Sequence, residues 1–135
     1  MSTLAPHSTR ERNALLRPAE PRIVRALHFM DANLDRTLSI ADLASEAGLS
    51  PSRFAHLFHA ETGSTPARML LRMRMMRAAE LLIATRLPVN EVGLRVGFWH
   101  AAAFARAFRA WYGIAPGKYR RDGLALLTGI AEIVK

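Results

Sequence analysis

The apolar residues of this chain recur at intervals of three and four, which places their side chains on one face of an α-helix. The first helical run covers about 21–34. A second helix is predicted to begin after Ser39, whose hydroxyl can cap it, and to end at Gly48. A third is predicted from Ser50 to Gly63. Since no segment shows the strict alternation of a strand, the pattern predicts an all-α fold.

A long helix is predicted from about residue 65 to residue 85. Its apolar positions include Met69, Met73 and Met76, a stripe that we expect to lie in the core. Pro88 then interrupts the helical pattern. Three short helices are predicted beyond it, over about 89–96, 100–112 and 116–121. This makes about seven helices in all.

The chain contains an internal repeat. Segment 40–49 (IADLASEAGL) matches segment 89–98 (VNEVGLRVGF) at an offset of 49, and after one inserted residue the offset becomes 50. Each copy reads as a helix, a glycine turn, a second helix and a glycine stop, which is the outline of a helix-turn-helix unit. Two copies joined by one long helix predict a tandem arrangement, in which the second helix of each unit enters a major groove of DNA.

The charge is distributed unevenly along the chain. There are 19 Lys and Arg against 11 Asp and Glu, a formal net charge of +8. Residues 1–52 hold six arginines and six acidic residues, whereas residues 53–121 hold twelve basic residues and only three acidic ones. A basic field confined to one half of a small domain is typical of a surface that binds nucleic-acid phosphates.

The sequence argues against several other classes of function. The chain has no cysteine, which excludes disulfides, thiol catalysis and cysteine-based zinc sites. His56 and His59 are three residues apart, but no third ligand is placed beside them, so we predict no metal, no cofactor and no enzyme activity. No apolar run reaches the length of a membrane span. We therefore expect a cytoplasmic, nucleoid-associated protein with no membrane partner.

The repeat and its connecting helix resemble the DNA-binding domain of the AraC/XylS family of transcriptional regulators. The residues that carry the resemblance lie at 39–43, 48–52, 58, 61–63, 74, 78, 81–82, 96–98, 104, 108, 113 and 115–120. Together they extend over about 21–121. The resemblance implies seven helices, with the long one (about 66–84) as a rigid spacer between two helix-turn-helix subdomains.

The resemblance also implies which residues read bases. The family's base-reading positions fall on Ser52, Ala55 and His56 in the first unit and on Ala102 and Arg106 in the second. Arg106 is the strongest candidate, because a guanidinium can bond guanine O6 and N7 together. The neighbouring alanines are short where long polar side chains are common in the family. They can touch thymine methyls, or DNA shape can supply the specificity.

Contacts to DNA phosphates require hydrogen-bond donors more than particular side chains. The side chains that we expect to supply them are Arg53, His59, Arg72, Arg95, Arg109 and Lys118. Backbone donors at helix N-termini are expected to add to these at Ser39, Ser50 and Thr65.

We divide the chain into three parts. Residues 1–20 are predicted to be a flexible N-terminal arm. Residues 21–122 are predicted to be the tandem helix-turn-helix domain, with its first unit at about 39–63, its linker helix at about 65–85 and its second unit at about 89–113. Residues 123–135 form an apolar tail, which either packs on the core or contacts a second chain.

Double-stranded DNA is the expected partner, bound by a monomer, and RNA polymerase is the expected protein partner. A dimer through the tail is an alternative. A second hypothesis is a basic helical module that acts mainly through protein partners, such as RNA polymerase or another regulator. The sequence departs from the family at Gly93, where alanine is usual, and at Leu94, where a polar residue is usual. This predicts either a softer helix there or a Leu94 that faces a partner.

Overall fold

The computed structural model describes residues 19–133, which form seven helices and no strand, so the prediction of an all-α fold is confirmed. The predicted arm lies almost entirely outside the described residues. The helices are α1 (Pro21–Ala32), α2 (Ile40–Ala47), α3 (Pro51–Thr62), α4 (Pro66–Ala84), α5 (Val89–Arg95), α6 (Ala101–Tyr112) and α7 (Pro116–Ile133).

The starts of α2, α3 and α4 are fixed by local hydrogen bonds that the sequence predicts. The Ser39 hydroxyl accepts from the Asp42 amide at 3.1 Å, and the Asp42 carboxylate accepts from the Ser39 amide at 2.9 Å. These reciprocal bonds form a capping box and lower the pKa of Asp42, since they favour its charged form. The hydroxyls of Ser50 and Thr65 accept from the amides three residues later, and proline occupies the first helical position after each.

The internal repeat is a repeat of structure as well as of sequence. In the two turns, the Leu49 amide donates to the Ala44 carbonyl at 2.9 Å and the Phe98 amide donates to the Gly93 carbonyl at 2.8 Å. Residues 51–62 and 101–112 alternate between buried and exposed positions in nearly the same order. Because both units bury the same face, α3 and α6 turn corresponding helix positions outwards.

Each unit has its own hydrophobic core, and α4 belongs to both. The first core is built around Phe54 and Phe58, and the second around Phe104 and Phe108, all four of them fully buried. Helix α4 contributes Leu70 to the first core and then Met75, Ala78, Ala79 and Leu82 to the second. The long helix is therefore packed along most of its length and joins the two units as a stiff element.

Arg74 ties the two units together at the middle of α4. Its Nε donates to the Leu34 carbonyl at 3.1 Å, and its Nη2 donates to the Arg36 carbonyl at 2.7 Å. Partial burial lowers the pKa of this guanidinium, because desolvation disfavours its charge. At Gly97, the turn of the second unit passes so close to these groups that a Cβ would overlap the Leu34 carbonyl oxygen. The turn of the second unit thus packs against the end of α1.

The methionines of α4 only partly follow the prediction. Met69 and Met73 are half-buried, but Met76 is 48% exposed, so its predicted place in the core is wrong. Met75 is fully buried instead. The buried face of α4 turns from the first core to the second along the helix, and this change of face exposes Met76.

The last helix is longer than predicted. It runs to Ile133, so the prediction that it ends near residue 121 is wrong. Gly123 does not end it, because leucines and alanines with high helix propensity follow, and because Ile83 of α4 occupies the space of the missing Cβ. The large apolar side chains beyond this point are exposed: Leu124, Leu126, Leu127, Ile130 and Ile133.

Candidate nucleic-acid interface

The outward face of α3 carries the predicted base-reading residues of the first unit. Ser52 and His56 are exposed and Ala55 is half-buried, on the side of the helix opposite the buried phenylalanines. Ser52 and His56 line a surface cleft of about 420 Å³ together with Arg53, which is also exposed. The cleft is completed by Arg22, Leu49 and Leu57. The first unit therefore offers a polar, basic recess along its recognition helix.

The outward face of α6 differs from that of α3. Ala102, Arg106 and Arg109 are exposed, so the two arginines project from a surface that is otherwise nearly free of long side chains. Gly93 of α5 lies directly beneath α6, and a Cβ at this position would lie 2.9 Å from the Phe104 ring. Its missing side chain lets α5 approach α6 closely, which accounts for the glycine. Leu94 is 41% exposed beside it.

A second surface cleft, of about 490 Å³, lies between the two units. The Arg68 guanidinium of α4 lies over the Trp111 ring of α6, 5.0 Å from its centroid. Such a cation–π contact holds the arginine at a defined place while its charge still faces solvent. His59, Thr65 and Arg72, all predicted phosphate contacts, line the same cleft. The structure thus brings three of the predicted residues into one basic recess.

Three predicted phosphate contacts line neither cleft: Arg95, Arg109 and Lys118. Arg95 pairs with Glu91 at 3.7 Å and Lys118 pairs with Asp122 at 3.0 Å, one helical turn away in each case. Both pairs are exposed, with side chains between 42% and 57% accessible, and such pairs contribute about 0.3–0.5 kcal/mol. A DNA phosphate can therefore compete for either cation.

The helix N-termini offer fewer backbone donors than the sequence predicts. At Ser39 the amide already donates to the Asp42 carboxylate, which places a negative charge beside it. At Ser50 and Thr65 the hydroxyl caps the third amide of the helix, and the proline at the first position has no amide hydrogen. In these two helices the amide at the second helical position, Ser52 in α3 and Ala67 in α4, has no side-chain cap.

Sequence reasoning missed two arginines of these clefts, Arg22 and Arg68. Arg68 precedes Arg72 by one helical turn, so the spacing alone signals a shared face of α4. Arg22 lies 30 residues before Ser52 in the chain and reaches the α3 cleft only through the packing of α1. Its Nε also pairs with the Glu20 carboxylate at 2.8 Å, which lowers the pKa of Glu20. No local sequence pattern signals this contact.

Two basic helix-turn-helix units on one stiff linker define a DNA-binding protein of the helix-turn-helix class. No helix within residues 19–133 is long and apolar enough to cross a membrane. No group of three or more His, Asp or Glu side chains in that range is placed to hold a metal ion.

Comparison with known proteins supports this class and narrows it. A family model described as a helix-turn-helix domain matches residues 43–122. The arabinose operon regulatory protein of Escherichia coli is 34% identical over 104 residues, which cover 76% of this chain and 36% of that protein. The probable transcriptional regulator LumQ of Photobacterium leiognathi is 33% identical over 69% of this chain and 38% of its own length. The chain thus spans little more than a third of these relatives.

Two solved structures match this chain over nearly their whole length. A transcriptional regulator of Chromobacterium violaceum with an AraC-type DNA-binding domain is 30% identical, with a TM-score of 0.71 over 76% of this chain and 92% of that one. The DNA-binding domain of the global transcriptional factor AdpA, solved with a target DNA, is 29% identical, with a TM-score of 0.73 over 77% of this chain and 94% of that one. This chain belongs to the AraC family of transcriptional regulators. The family and the fold are those of DNA-binding regulators and not of enzymes.

Proposed function

We propose that this chain regulates transcription by binding one asymmetric DNA sequence, with α3 and α6 in successive major grooves. The observation that carries the proposal is the repeated burial pattern, which turns equivalent faces of both helices outwards from one stiff linker. Successive major grooves on one side of B-DNA are about 34 Å apart, so two recognition helices in one chain can reach both.

The proposed base contacts differ between the two units. In the second, Arg106 reads a guanine through O6 and N7, supported by Ala102 against a thymine methyl. In the first, Ser52, Ala55 and His56 read bases from the α3 face. Since His56 corresponds to Arg106 in the repeat, the two halves of the site are expected to differ in sequence.

The proposed phosphate contacts come from both clefts and from the helix ends. The cleft between the units supplies His59, Thr65 and Arg72, and Arg68 extends this set. Arg53 and Arg109 lie on the recognition helices α3 and α6, Arg95 lies at the end of α5 and Lys118 lies in the first turn of α7. The helix starts at Ser39 and Ser50 complete the predicted set. Because Asp42 already engages the Ser39 amide, we expect that helix start to contribute least.

We propose that a single chain is enough to occupy one site, so that residues 21–122 act as one DNA-binding domain in the nucleoid. The exposed apolar side chains of α7 favour a protein partner as well, either RNA polymerase or a second chain. Sedimentation of the free protein and of its DNA complex shows whether one chain or two chains occupy a site. One chain per duplex supports the monomer, whereas two chains per duplex, reduced to one by Leu127→Ala, support the dimer.

A gel-shift titration against promoter fragments from the source genome and random competitor DNA tests the proposal. We expect a preferred fragment that survives competitor and an affinity that falls steeply with salt, with a log–log slope of several units, because phosphate contacts release counterions. A nearly flat salt response with no preferred fragment would favour the alternative of a module that acts mainly through proteins.

A further inference from the structure

Trp99 is the one residue by which the second helix-turn-helix unit is longer than the first. Leu49 corresponds to Phe98 at an offset of 49, and Ser50 corresponds to His100 at an offset of 50, so Trp99 has no counterpart. The insertion lies in the turn directly before the recognition helix α6. The turn that leads into the recognition helix is therefore one residue longer before α6 than before α3.

The Trp99 side chain is 70% exposed. The phenylalanine and tyrosine rings of the second unit pack together, with Phe98 against Phe104 at 5.7 Å and Phe108 against Tyr112 at 4.7 Å between ring centroids. Within residues 19–133, Trp99 takes part in no ring contact, cation–π contact or hydrogen bond. A large indole left in solvent has no role in holding this fold together, since packing of apolar area is what stabilises a core.

Trp99 lies at the end of α6 that is proposed to enter the major groove. In helix-turn-helix proteins the N-terminal residues of the recognition helix contact base edges. Here those residues are Ala101, Ala102 and Ala103, which have no long side chains, and the N-cap residue His100 makes no capping hydrogen bond. Arg106 lies five residues after Ala101, which is about 8 Å along the helix axis at about 1.5 Å per residue. Among the residues that the structure describes, Trp99 is therefore the large exposed apolar side chain that directly precedes α6, whereas the neighbouring Phe98 packs against Phe104.

We propose that Trp99 determines specificity in the second half-site by packing its indole on a thymine C5-methyl group in the major groove. The inference rests on the proposed binding of α6 in that groove. Thymine is the only base with an apolar group on its major-groove edge, and apolar side chains read it by contact. The alanines beside Trp99 leave room for the ring to lie along the base edges. Together with Arg106, which reads a guanine, it makes the second half-site one that contains both a guanine and a thymine.

The experiment combines a protein change with a DNA change at the preferred site. Trp99→Ala is compared with Trp99→Phe and with Met76→Ala, a control that also removes an exposed apolar side chain, 48% accessible, but on α4. Each protein is titrated by fluorescence anisotropy against the natural duplex and against duplexes in which single thymines of the second half-site are replaced by deoxyuridine. This replacement removes only the methyl group.

We expect Trp99→Ala to weaken specific binding about tenfold, Trp99→Phe to retain most of the affinity and Met76→Ala to leave the affinity unchanged. One deoxyuridine is expected to weaken wild type about fivefold and to leave Trp99→Ala unchanged, because the methyl has already lost its partner. Circular dichroism of each variant confirms that it is folded.

Equal affinity of wild type and Trp99→Ala for the natural site, or additive effects of the two changes, would overturn the inference while leaving DNA binding intact. A variant that binds DNA normally but no longer activates or represses in a purified transcription reaction would instead assign Trp99 to a protein partner. Failure of wild type to prefer any duplex would refute the proposed function itself, and that outcome is visible before any variant is compared.

Discussion

Replacing the turn glycines by alanine tests how the two units are fixed to each other. Gly48 and Gly97 occupy the same place in the repeat, with φ of +72° and +92°. A Cβ at Gly48 would meet nothing within 4 Å, whereas a Cβ at Gly97 would overlap the Leu34 carbonyl oxygen and lie 3.0 Å from the Arg74 guanidinium. The pair therefore separates backbone strain, which both variants share, from the contact between the units, which only one disturbs.

The expected magnitudes follow from these surroundings. Gly48→Ala introduces only left-handed strain, about 1–2 kcal/mol. Gly97→Ala adds a clash with a backbone oxygen that cannot turn away as a flexible side chain can, and overpacking of this kind costs about 1–3 kcal/mol more. The shift of Leu34 also weakens its 3.1 Å hydrogen bond from Arg74. We expect a total of about 2–5 kcal/mol for Gly97→Ala, a large fraction of the stability of a small domain.

Urea denaturation followed by circular dichroism measures both free energies of unfolding in the same buffer. We expect the free energy of unfolding to fall by at least about 1 kcal/mol more in Gly97→Ala than in Gly48→Ala. Equal losses would refute the reasoning, because they would mean that the turn of the second unit does not press on the end of α1.

Three further predictions follow from the hydrogen bonds that hold the second unit. Arg74→Lys should destabilise the chain by about 1–3 kcal/mol in urea denaturation, since an ammonium group cannot reach both the Leu34 and Arg36 carbonyls. An unchanged denaturation midpoint would mean that these two hydrogen bonds do not stabilise the fold. Tyr112→Phe should cost about 0.5–1.5 kcal/mol, because the phenol donates to the Met75 carbonyl at 3.2 Å. Burial raises the pKa of Tyr112, and the nearby Tyr119 and Glu80 raise it further. The phenol therefore stabilises the fold fully below its ordinary pKa, and this stabilisation is lost as the pH rises through the raised pKa of the folded state. Over that pH range the free energy of unfolding of wild type should fall, and that of Tyr112→Phe should fall less.

The sequence predicts the parts of this fold that depend on local pattern. The caps at Ser39, Ser50 and Thr65, the glycine turns and the repeat all arise from residues close together in the chain, and they appear where expected. Met76 was misplaced because the period of α4 does not reveal where its buried face changes from one core to the other. The extension of α7 was missed because a glycine usually ends a helix, and the contact of Gly123 with Ile83 is a tertiary one.

The candidate site divides in the same way. Exposure of His56 and Arg106 follows from helical period once the buried phenylalanines are known. The ion pairs of Arg95 and Lys118 could have been found from their spacing of four residues to an acid. The stacking of Arg68 on Trp111 joins residues 43 positions apart, and no periodicity predicts it.

Selection of bound duplexes from a randomised library, for wild type and Arg106→Ala, tests the central claim most directly. The account predicts an asymmetric consensus with two unlike halves about one helical turn apart, bound by one chain, with a guanine in the half that α6 reads. Arg106→Ala should lose about 1–3 kcal/mol and relax the preference at that guanine alone, while Arg53→Ala weakens all sequences alike. A palindromic consensus bound only by two chains, or an Arg106→Ala profile identical to that of wild type, would contradict the account.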